Sequence, residues 1–325
     1  NDGTCNEDEL CAHIGACLSS TAGPGPAITL VPLAALVLPD WLIEIEAIAM
    51  RGHNDERLSR TAAWDASLHP LPAPFSHALR VGEMIFTSGI TVRTDAGDIP
   101  SPGVIAGQSG VVLSHLDTLL RRLGADLQDA VKTNVFNAEP GTAEDWSGPA
   151  LIRAGFYREP GPAATGISVP RLWPEGVMVK NDVIAMRGVD GARLPRTHVW
   201  PDDHWDWPVH LPYRHGVRCG DLVFLGGQVP LAPDASVEHI GDPVAQTNMA
   251  MDYIGRVLCE LGLGFEHVVK MNTFYAGNAD EDTWKQNLKA RFSHYSPPGP
   301  ATTGVPVPWL AYKDMGIEID IIAMV

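Results

Sequence analysis

The sequence predicts an α+β protein built from tandem copies of one module. The first observation is a repeat: the blocks GEMIFTSG, VKTNVF and GPAATG, which begin at 82, 131 and 161, are matched in order by GDLVFLGG, VKMNTF and GPATTG, which begin at 220, 269 and 299. The second observation is that each copy alternates short β-rich runs with longer stretches whose apolar residues have helical spacing. Because all three pairs of blocks have the same separation, they indicate duplicated modules. One module therefore describes most of the chain.

A partial copy precedes the two full ones. GPAIT at 25–29 matches GPAAT at 161–165, and IEIEAIAMRG at 43–52 matches VKNDVIAMRG at 179–188, again with one separation for both pairs. Only the second half of a module is represented, and the counterpart of 82–136 would lie upstream of Asn1. The predicted organisation is a half module, a linker, a full module, a second linker and a full module, over 1–52, 53–69, 70–188, 189–207 and 208–325.

Within each full module the pattern predicts the order β-β-α-β-α-β-β, a sheet covered by two helices. Apolar residues at helical spacing mark a first helix over 108–123, which Gly124 ends, and its second copy ends at Gly262. The remaining predicted elements are strands at 83–87, 131–136 and 223–225, second helices at 143–157 and 282–295, and a last strand that in the half copy alternates Ile43 and Ile45 with Glu44 and Glu46.

Composition narrows the class of partner. Lys and Arg total 23 against 39 Asp and Glu, a net charge of -16. A chain this acidic lacks the cationic surface that phosphate backbones require, so no nucleic-acid partner is expected. The longest apolar run, 27–38, is about half of the ~20 residues that span a membrane, so no membrane partner is expected.

The sequence predicts no metal and no cofactor. Five cysteines, an odd number without a CxxC pair, favour a reducing, cytoplasmic location over a disulfide framework. Neither a GxGxxG motif nor a phosphate loop occurs. The segment 198–215 contains four histidines, but without ligand spacing on a defined element, and its interleaved Trp and Pro residues favour a packed linker over a metal site.

These blocks resemble the RidA/YjgF family, also labelled L-PSP endoribonuclease-like, which has a chorismate-mutase-like fold. The resemblance covers nearly the whole chain, as the half copy and the two full copies. It rests on PFSHALRVG and PYRHGVRCG, on FTSG and FLGGQ, on Gln108 and Gln246 at the start of the first helix, on VKTNVF and VKMNTF, and on the IEIEAIA-like last strand. Because members of the family are trimers of single modules, the resemblance implies a pseudo-trimer of linked modules here.

The resemblance also implies an activity. Well-known members hydrolyse reactive imines and enamines to ketoacids and ammonia in clefts between neighbouring subunits, and an Arg within a P-A-R-[ST] motif holds the substrate carboxylate. This chain departs from the motif, with Ile28, Ala164 and Thr302 at the aligned positions. The implied function is a hydrolase or deaminase that acts on an imine, enamine, amide or related C–N bond of a small-molecule substrate. A carboxylate would activate water in a cleft between modules, and groups other than the motif Arg would hold the substrate.

Four residues are predicted to be catalytic. The family's acidic residue on the last strand maps to Glu44, Lys180 and Glu318, so two copies keep a carboxylate and one inverts its charge. A carboxylate in a partly dehydrated cleft serves as general acid or base, and the alternative is a solvated residue on a strand face. Ser88, at the end of a strand, is a candidate to hold a substrate oxygen, and the alternative is that the Ser-Gly pair only forms a turn.

Six further residues are predicted to bind substrate. Tyr213 occupies the place of the family's site-lining Tyr, Gln228 follows the strand end of the last module, and Thr165 and Thr303 repeat in a loop. Asn134 and Asn272 repeat within a β-rich strand, where Asn is disfavoured, which indicates a polar role. Internal hydrogen bonding is the alternative for both asparagines, and loop capping is the alternative for both threonines.

Two other functions stay open on the sequence: a non-catalytic ligand-binding or regulatory protein of the same fold and, last, a ribonuclease. Architecture adds one more expectation. A half module would leave unpaired strand edges and an uncovered apolar face. A second polypeptide, either the N-terminal product of the same precursor or a small subunit, is therefore expected to complete the first module.

Overall fold

The computed structural model describes residues 6–18, 23–38, 40–52, 54–138, 143–277 and 281–325. The helices are α1 (Glu7–Leu18), α2 (Ile105–Arg122), α3 (Ala143–Ala154), α4 (Pro243–Glu260) and α5 (Glu281–Phe292). The strands are β1 (Arg60–Ala63), β2 (Ala78–Val81), β3 (Met84–Thr87), β4 (Ala130–Asn137), β5 (Ala163–Ser168), β6 (Val179–Met186), β7 (Arg196–Val199), β8 (Gly216–Cys219), β9 (Leu222–Leu225), β10 (Val268–Ala276), β11 (Ala301–Val307) and β12 (Ile317–Met324). Among the described residues, none of these helices has the length and apolar character of a membrane span.

The chain divides into two compact units. The first comprises Asn1–Pro32, Ala47–Ala138 and Arg171–Leu194. The second comprises Leu33–Glu46, Glu139–Pro170 and Pro195–Val325. Part of the half copy, and the α3 and β5 region of the first full module, are thus grouped with the last module in the second unit.

The first unit contains an antiparallel sheet in the order β1-β2-β3-β6-β4. The tight turn between β2 and β3 uses Gly82 at a φ of 59°, a conformation that glycine adopts without strain. Pairing of β4 with β6 sets Asn134 opposite Asp182 and Phe136 opposite Lys180. The sheet therefore brings two of the predicted site residues, Asn134 and Lys180, onto adjacent strands.

Helix α2 packs on β3 and β6 of this sheet. Its apolar stripe, Val112, Leu116, Leu119 and Leu120, is fully buried. Each such side chain contributes roughly 1.5–3 kcal/mol when it is removed from water. Gly124, at a φ of 80°, ends the helix, and the next amide donates back to the Leu120 carbonyl, which is the usual glycine stop.

The second unit contains a sheet in the order β11-β10-β12-β9-β8-β7. Strands β10 and β11 are parallel, and the other neighbours are antiparallel. The β10–β12 register repeats that of the first unit, with Asn272 opposite Asp320 and Phe274 opposite Glu318. Equivalent strands therefore carry the predicted site residues at equivalent positions in the two units.

Helix α4 covers this second sheet. Asp242 caps its first turn by accepting hydrogen bonds from the amides of Val244 and Ala245. Gly262, at a φ of 70°, follows its last turn. The core between helix and sheet consists of buried apolar residues from α4, β9, β10 and β12, among them Val223, Leu225, Met251, Ile254, Val257, Met271, Ile317, Ile319 and Ile321.

The predicted α+β class, the repeat, and the helices and strands of the full modules are confirmed. The predicted linkers, however, are not simple connections: 53–69 contains β1 and 189–207 contains β7, each of which extends its sheet by pairing with the next strand. Both strands were missed because they are only 4 residues long and carry weak alternation.

The prediction of a strand at the end of the half copy is wrong, because residues 41–52 form no strand. The repeat-equivalent strands β6 and β12 each lie between two neighbours, β3 and β4 or β9 and β10. A strand needs such partners for its backbone hydrogen bonds. Among the described residues, the half copy has no equivalent neighbouring strands. Its β-like sequence therefore forms no ladder of backbone hydrogen bonds with a neighbouring strand.

Candidate active site in the second unit

Glu318 lies at the centre of the best candidate site. Its place on β12 leaves only 5% of the residue exposed. The carboxylate lies against the backbone of Gly227, just beyond the end of β9, where an added Cβ would overlap Oε1. The Gly227 amide donates to the carbonyl of Ala164 on β5, at 3.0 Å. Three segments of the second unit therefore converge on one buried carboxylate.

Thr165, predicted to bind substrate, holds this junction together. Its hydroxyl donates to Asp320 Oδ2 at 2.8 Å, and both residues are buried. In the first unit the Thr29 hydroxyl donates to Asp182 in the same way, at 2.8 Å. Asn134 adds a bond from Nδ2 to Asp182 Oδ1, also at 2.8 Å. The internal hydrogen bonding left open for Asn134 is therefore present. The loop expected around Thr165 and Thr303 is wrong, because these residues lie on β5 and β11.

Asp182 and Asp320 are two residues that the sequence analysis missed. A signal for them existed, because they occupy equivalent positions of the repeat and follow Lys180 and Glu318 by two positions. In a strand, that spacing places both members of each pair on one face. Each unit thus carries a threonine–aspartate bond beside the position of the predicted catalytic residue.

Lys180 fills the position of Glu318 in the first unit, and it is neutralised. Its ammonium donates to both carboxylate oxygens of Glu7 at 2.9 Å and to the Leu30 carbonyl at 2.7 Å. Only 4% of the Lys180 side chain is exposed. Since an ammonium has three N–H donors, these contacts use its full capacity. Helix α1, which carries Glu7, therefore supplies a buried ion pair where the second unit has a carboxylate.

Ser88 also lies in the first unit, nearly fully buried. Its hydroxyl donates to the Ser76 carbonyl at 2.7 Å and accepts from the Ile28 amide at 2.9 Å. Both contacts hold segments of backbone together. The catalytic role of Ser88 stays a prediction, but the contacts described for it are structural.

Gln228 is fully buried, and protein groups use both ends of its amide. The oxygen accepts from Trp205 Nε1 at 3.3 Å and lies 2.8 Å from His204 Nε2. The nitrogen donates to the Gly226 carbonyl at 3.0 Å and contacts His215. Gln228 therefore ties the strand end to the segment before β8, and its predicted contact with substrate would have to displace one of these bonds.

The buried histidines beside Gln228 give stability a pH dependence. Burial lowers the pKa of His204 from 6.5 to about 4. Below pH 6.5 the unfolded chain protonates this group while the folded chain keeps it neutral, so stability falls between pH 6.5 and about 4. We expect His204 to account for a loss on the order of 2 kcal/mol over this window. Urea denaturation at both limits measures it.

The matched control for that measurement is His13, an exposed residue of α1. The His204→Gln variant should lose its share of the pH dependence, whereas His13→Gln should retain the wild-type profile. An unchanged profile in His204→Gln would show that other groups cause the acid sensitivity.

Tyr213 lies against a buried arginine that sequence reasoning also missed. Arg153, on α3, is hydrogen-bonded to the Tyr213 side chain, and Tyr157 lies close to both. Burial lowers the pKa of the Arg153 guanidinium, and the two tyrosines act in the opposite direction. Burial likewise raises the pKa of Tyr213. The second unit therefore holds a guanidinium among tyrosine side chains.

Arg291 is the repeat equivalent of Arg153 in the last module. It is 1% exposed, and burial lowers its pKa to about 10. Its guanidinium donates to Asn287 at 3.0 Å and to the hydroxyls of Thr273 and Thr302 at 2.8 and 3.4 Å. These three partners are uncharged. Thr302 occupies the position that aligns with the family's motif Arg. The guanidinium of Arg291, from helix α5, therefore reaches the position where the motif would have its own arginine.

The remaining predicted residues meet in another part of the second unit. Glu44 is hydrogen-bonded to Thr303 and to the Gly304 backbone. Burial raises the pKa of Glu44, and these two bonds partly oppose that effect. Lys270 donates to Glu46 at 2.6 Å and also to Asn272. Glu44, Thr303 and Asn272 thus lie where the half copy contacts β10 and β11.

Comparison with known families gives a match over most of the chain. The model of the family Ribonuc_L-PSP, described as Endoribonuclease L-PSP, matches twice, over 67–187 and 207–325. The two matches correspond to the two full copies of the repeat.

Single-module relatives and one larger structure are similar to this chain. The 2-iminobutanoate/2-iminopropanoate deaminase of Escherichia coli (strain K12) is 31% identical over 113 residues, 35% of this chain and 87% of that protein. Protein DfrA of Myxococcus xanthus is 35% identical over 116 residues, 35% of this chain and 85% of that protein. A crystal structure of a chorismatase covers 82% of this chain and 80% of its own, with a TM-score of 0.59 and 16% identity. That last likeness concerns the fold alone.

Proposed function

Because the chain belongs to the endoribonuclease L-PSP family, whose relatives include reactive intermediate deaminases, we propose that it hydrolyses the C–N bond of a small imine or a related compound in the second unit. Glu318 acts as the general acid and base. The substrate is a small molecule, and the chain's own side chains perform the chemistry.

The observation that carries this proposal is the buried Glu318 carboxylate against the glycine backbone that follows β9. A carboxylate held in a poorly hydrated place exchanges protons efficiently with a reacting group, and such catalysis contributes typically 100- to 10,000-fold. The first unit has Lys180 paired with Glu7 at the equivalent place. A cation already paired in this way is a poor general base, which is why the proposal rests on the second unit.

The reaction is a hydrolysis. Glu318 accepts a proton from a water molecule as the water oxygen bonds to the imine carbon. The same carboxyl group then returns the proton to nitrogen, which gives a neutral carbinolamine. It relays the remaining hydroxyl proton to nitrogen as the C–N bond breaks, so both protons of the water end on ammonia and its oxygen ends in the carbonyl product. Water is the only co-reactant, and the carboxylate is regenerated. Glu318 therefore serves as base in the first step and as acid in the second.

The buried guanidinium of Arg153 offers a counter-charge for a carboxylate-bearing substrate. Guanidinium groups bind carboxylates through charge-assisted hydrogen bonds. We propose that Arg153, with Tyr213, holds the anionic end of the substrate and takes over the task of the motif arginine replaced by Ala164. The Escherichia coli relative is named for acting on 2-iminobutanoate and 2-iminopropanoate, so 2-imino acids are the first substrates to test.

A pair of glycine substitutions tests the proposal. An alanine at Gly227 places a Cβ in the space of the Glu318 carboxylate, so Gly227→Ala should lower kcat/KM by roughly 10-fold or more, as expected when a catalytic group is displaced. The matched control is Gly89→Ala, whose Cβ would lie 2.9 Å from Lys180 Cδ and Thr29 Cγ2 in the first unit. Control activity should stay near wild type. Competition with semicarbazide for an imine released by an amino acid oxidase measures turnover.

Two outcomes would contradict this function. Equal losses in the two glycine variants would mean that Glu318 has no special role. Saturable binding of a 2-keto or 2-imino acid without any turnover would favour the non-catalytic ligand-binding protein that the sequence leaves open. The pseudo-trimer of modules, the cytoplasmic location and the second polypeptide expected from the half copy likewise stand as proposals.

A further inference from the structure

The last segment of the half copy exposes an apolar surface. Residues 41–48 include Leu42, which is 77% exposed, and Ile45, which is 67% exposed. Trp41, Ile43 and Ile48 are exposed as well. Large side chains exposed together in one segment mark an interaction surface. The segment is well suited to pairing, because it alternates β-favouring isoleucine with glutamate.

The repeat identifies what covers such a segment. IEIEAIAM at 43–50 differs from IEIDIIAM at 317–324 only at positions 46 and 47. The second sequence is β12, which lies between β9 and β10 and packs its isoleucines against α4. Its two neighbouring strands and helix α4 come from 208–276, the first half of the same module. Nearly the same sequence in the half copy therefore fits the same β-β-α-β surface.

The side-chain hydrogen bonds of the half copy are offset by two residues from those of the two full copies. In the two full copies the aspartate of the last strand accepts a hydrogen bond from the threonine of the preceding copy: Asp182 from Thr29, and Asp320 from Thr165. By repeat position, Thr303 should bond to Glu46. It is bonded to Glu44 instead, two residues earlier, while Glu46 pairs with Lys270. A shift of two residues keeps every side chain on its own face, so it is the smallest slip a β segment makes without inversion.

We infer that residues 43–50 are the docking surface for a polypeptide with the first half of this repeat, and that docking moves the segment by two residues. Glu46 then bonds to Thr303, and Glu44 takes the place that Glu318 has in the second module. The docked half module and β11 enclose a further cleft, which contains Glu44. The chemistry of that cleft rests on the proposed function of Glu318, whereas the docking and the register shift do not.

The occupant has a stated chemistry. It presents a groove between two strands and an apolar helix, as Val223, Met251 and Val257 do for β12. Ile43 and Ile45 fill the places of Ile317 and Ile319. Ala47 replaces Ile321, which leaves one smaller contact in an otherwise matched surface.

Disulfide trapping tests the inference on the full chain. In a background with Cys5, Cys17 and Cys259 changed to serine, one variant carries Glu44→Cys with Thr303→Cys, and the other carries Glu46→Cys with Thr303→Cys. The probe is a polypeptide of residues 208–276 of this same chain, fused to a soluble carrier. Without the probe we expect the first pair to crosslink. With the probe we expect that crosslink to be lost and the second pair to form.

Matched controls separate the outcomes. Ile43→Lys combined with Ile45→Lys should abolish probe binding, whereas Leu42→Lys, outside the repeated strand sequence, should leave it within a few-fold. Absence of probe binding, or binding without exchange of crosslinks, would overturn the inference. So would formation of the second crosslink in a dimer of the chain alone, since the occupant would then be a second copy. Glu318-dependent turnover in the same samples reports separately on the proposed function.

Discussion

Replacing Glu318 by glutamine is expected to lower kcat for imine hydrolysis by roughly 100-fold or more. Glutamine keeps the size and the hydrogen-bonding reach of glutamate but cannot accept a proton from water. Because the buried surroundings at Gly227 stay filled, we expect the fold and KM to change little. Steady-state kinetics and the far-UV circular dichroism of the variant give the two readouts.

The matched control is Glu44→Gln, which makes the same chemical change at the repeat-equivalent position. Glu44 is held by Thr303 and Gly304 and does not lie at the Gly227 backbone. Its removal should leave kcat within about two-fold, well under the effect expected for a general base. A pH profile adds a readout that simple misfolding would not produce, because the rise of kcat/KM with pH should disappear in Glu318→Gln alone. Equal kcat in wild type and Glu318→Gln would exclude the proposed mechanism.

The fold of this protein could be predicted largely because the chain repeats itself. Helices α2 and α4 each have an apolar stripe and a glycine stop, as around Leu116 and Gly124, and the repeat supports the same assignment in both full copies. The wrong prediction of a strand in the half copy also came from relying on local sequence pattern. IEIEAIAM has all the local features of a strand, but a strand also needs neighbours, and local sequence does not contain them.

The candidate site was only partly predictable. Glu318 was predicted because the family resemblance marks its position, and Thr165 was predicted because it repeats between the copies. Arg153 was missed because its proposed role depends on its contact with Tyr213. That contact is set by tertiary packing of α3, which the local sequence does not reveal. Gln228 was predicted to bind substrate because it follows a strand end, and only the packing of His204 and Trp205 shows where its amide atoms are used. Sequence positions identify candidates, and burial and hydrogen bonds decide among them.

Breaking the ion pair between Glu7 and Lys180 from one side should strongly destabilise the first unit. Lys180 is almost fully buried, so Glu7→Gln leaves its ammonium without a counter-charge. Breaking a buried pair from one side costs about 3–5 kcal/mol, and since one fifth of the Glu7 side chain is exposed, we expect about 3 kcal/mol here. Urea denaturation of the variant and of the wild type measures the difference.

Two further variants separate the ion pair from helix α1 itself. Glu9→Gln removes a charge from the same helix at an exposed position and should change stability by less than about 0.5 kcal/mol. Adding Lys180→Met to Glu7→Gln removes the uncompensated charge, so the double variant should be more stable than Glu7→Gln alone. Equal stability of Glu7→Gln and Glu9→Gln would mean that water enters and solvates Lys180. In that case Lys180 would be able to act on a substrate, and the first unit would again be a candidate for the catalytic site.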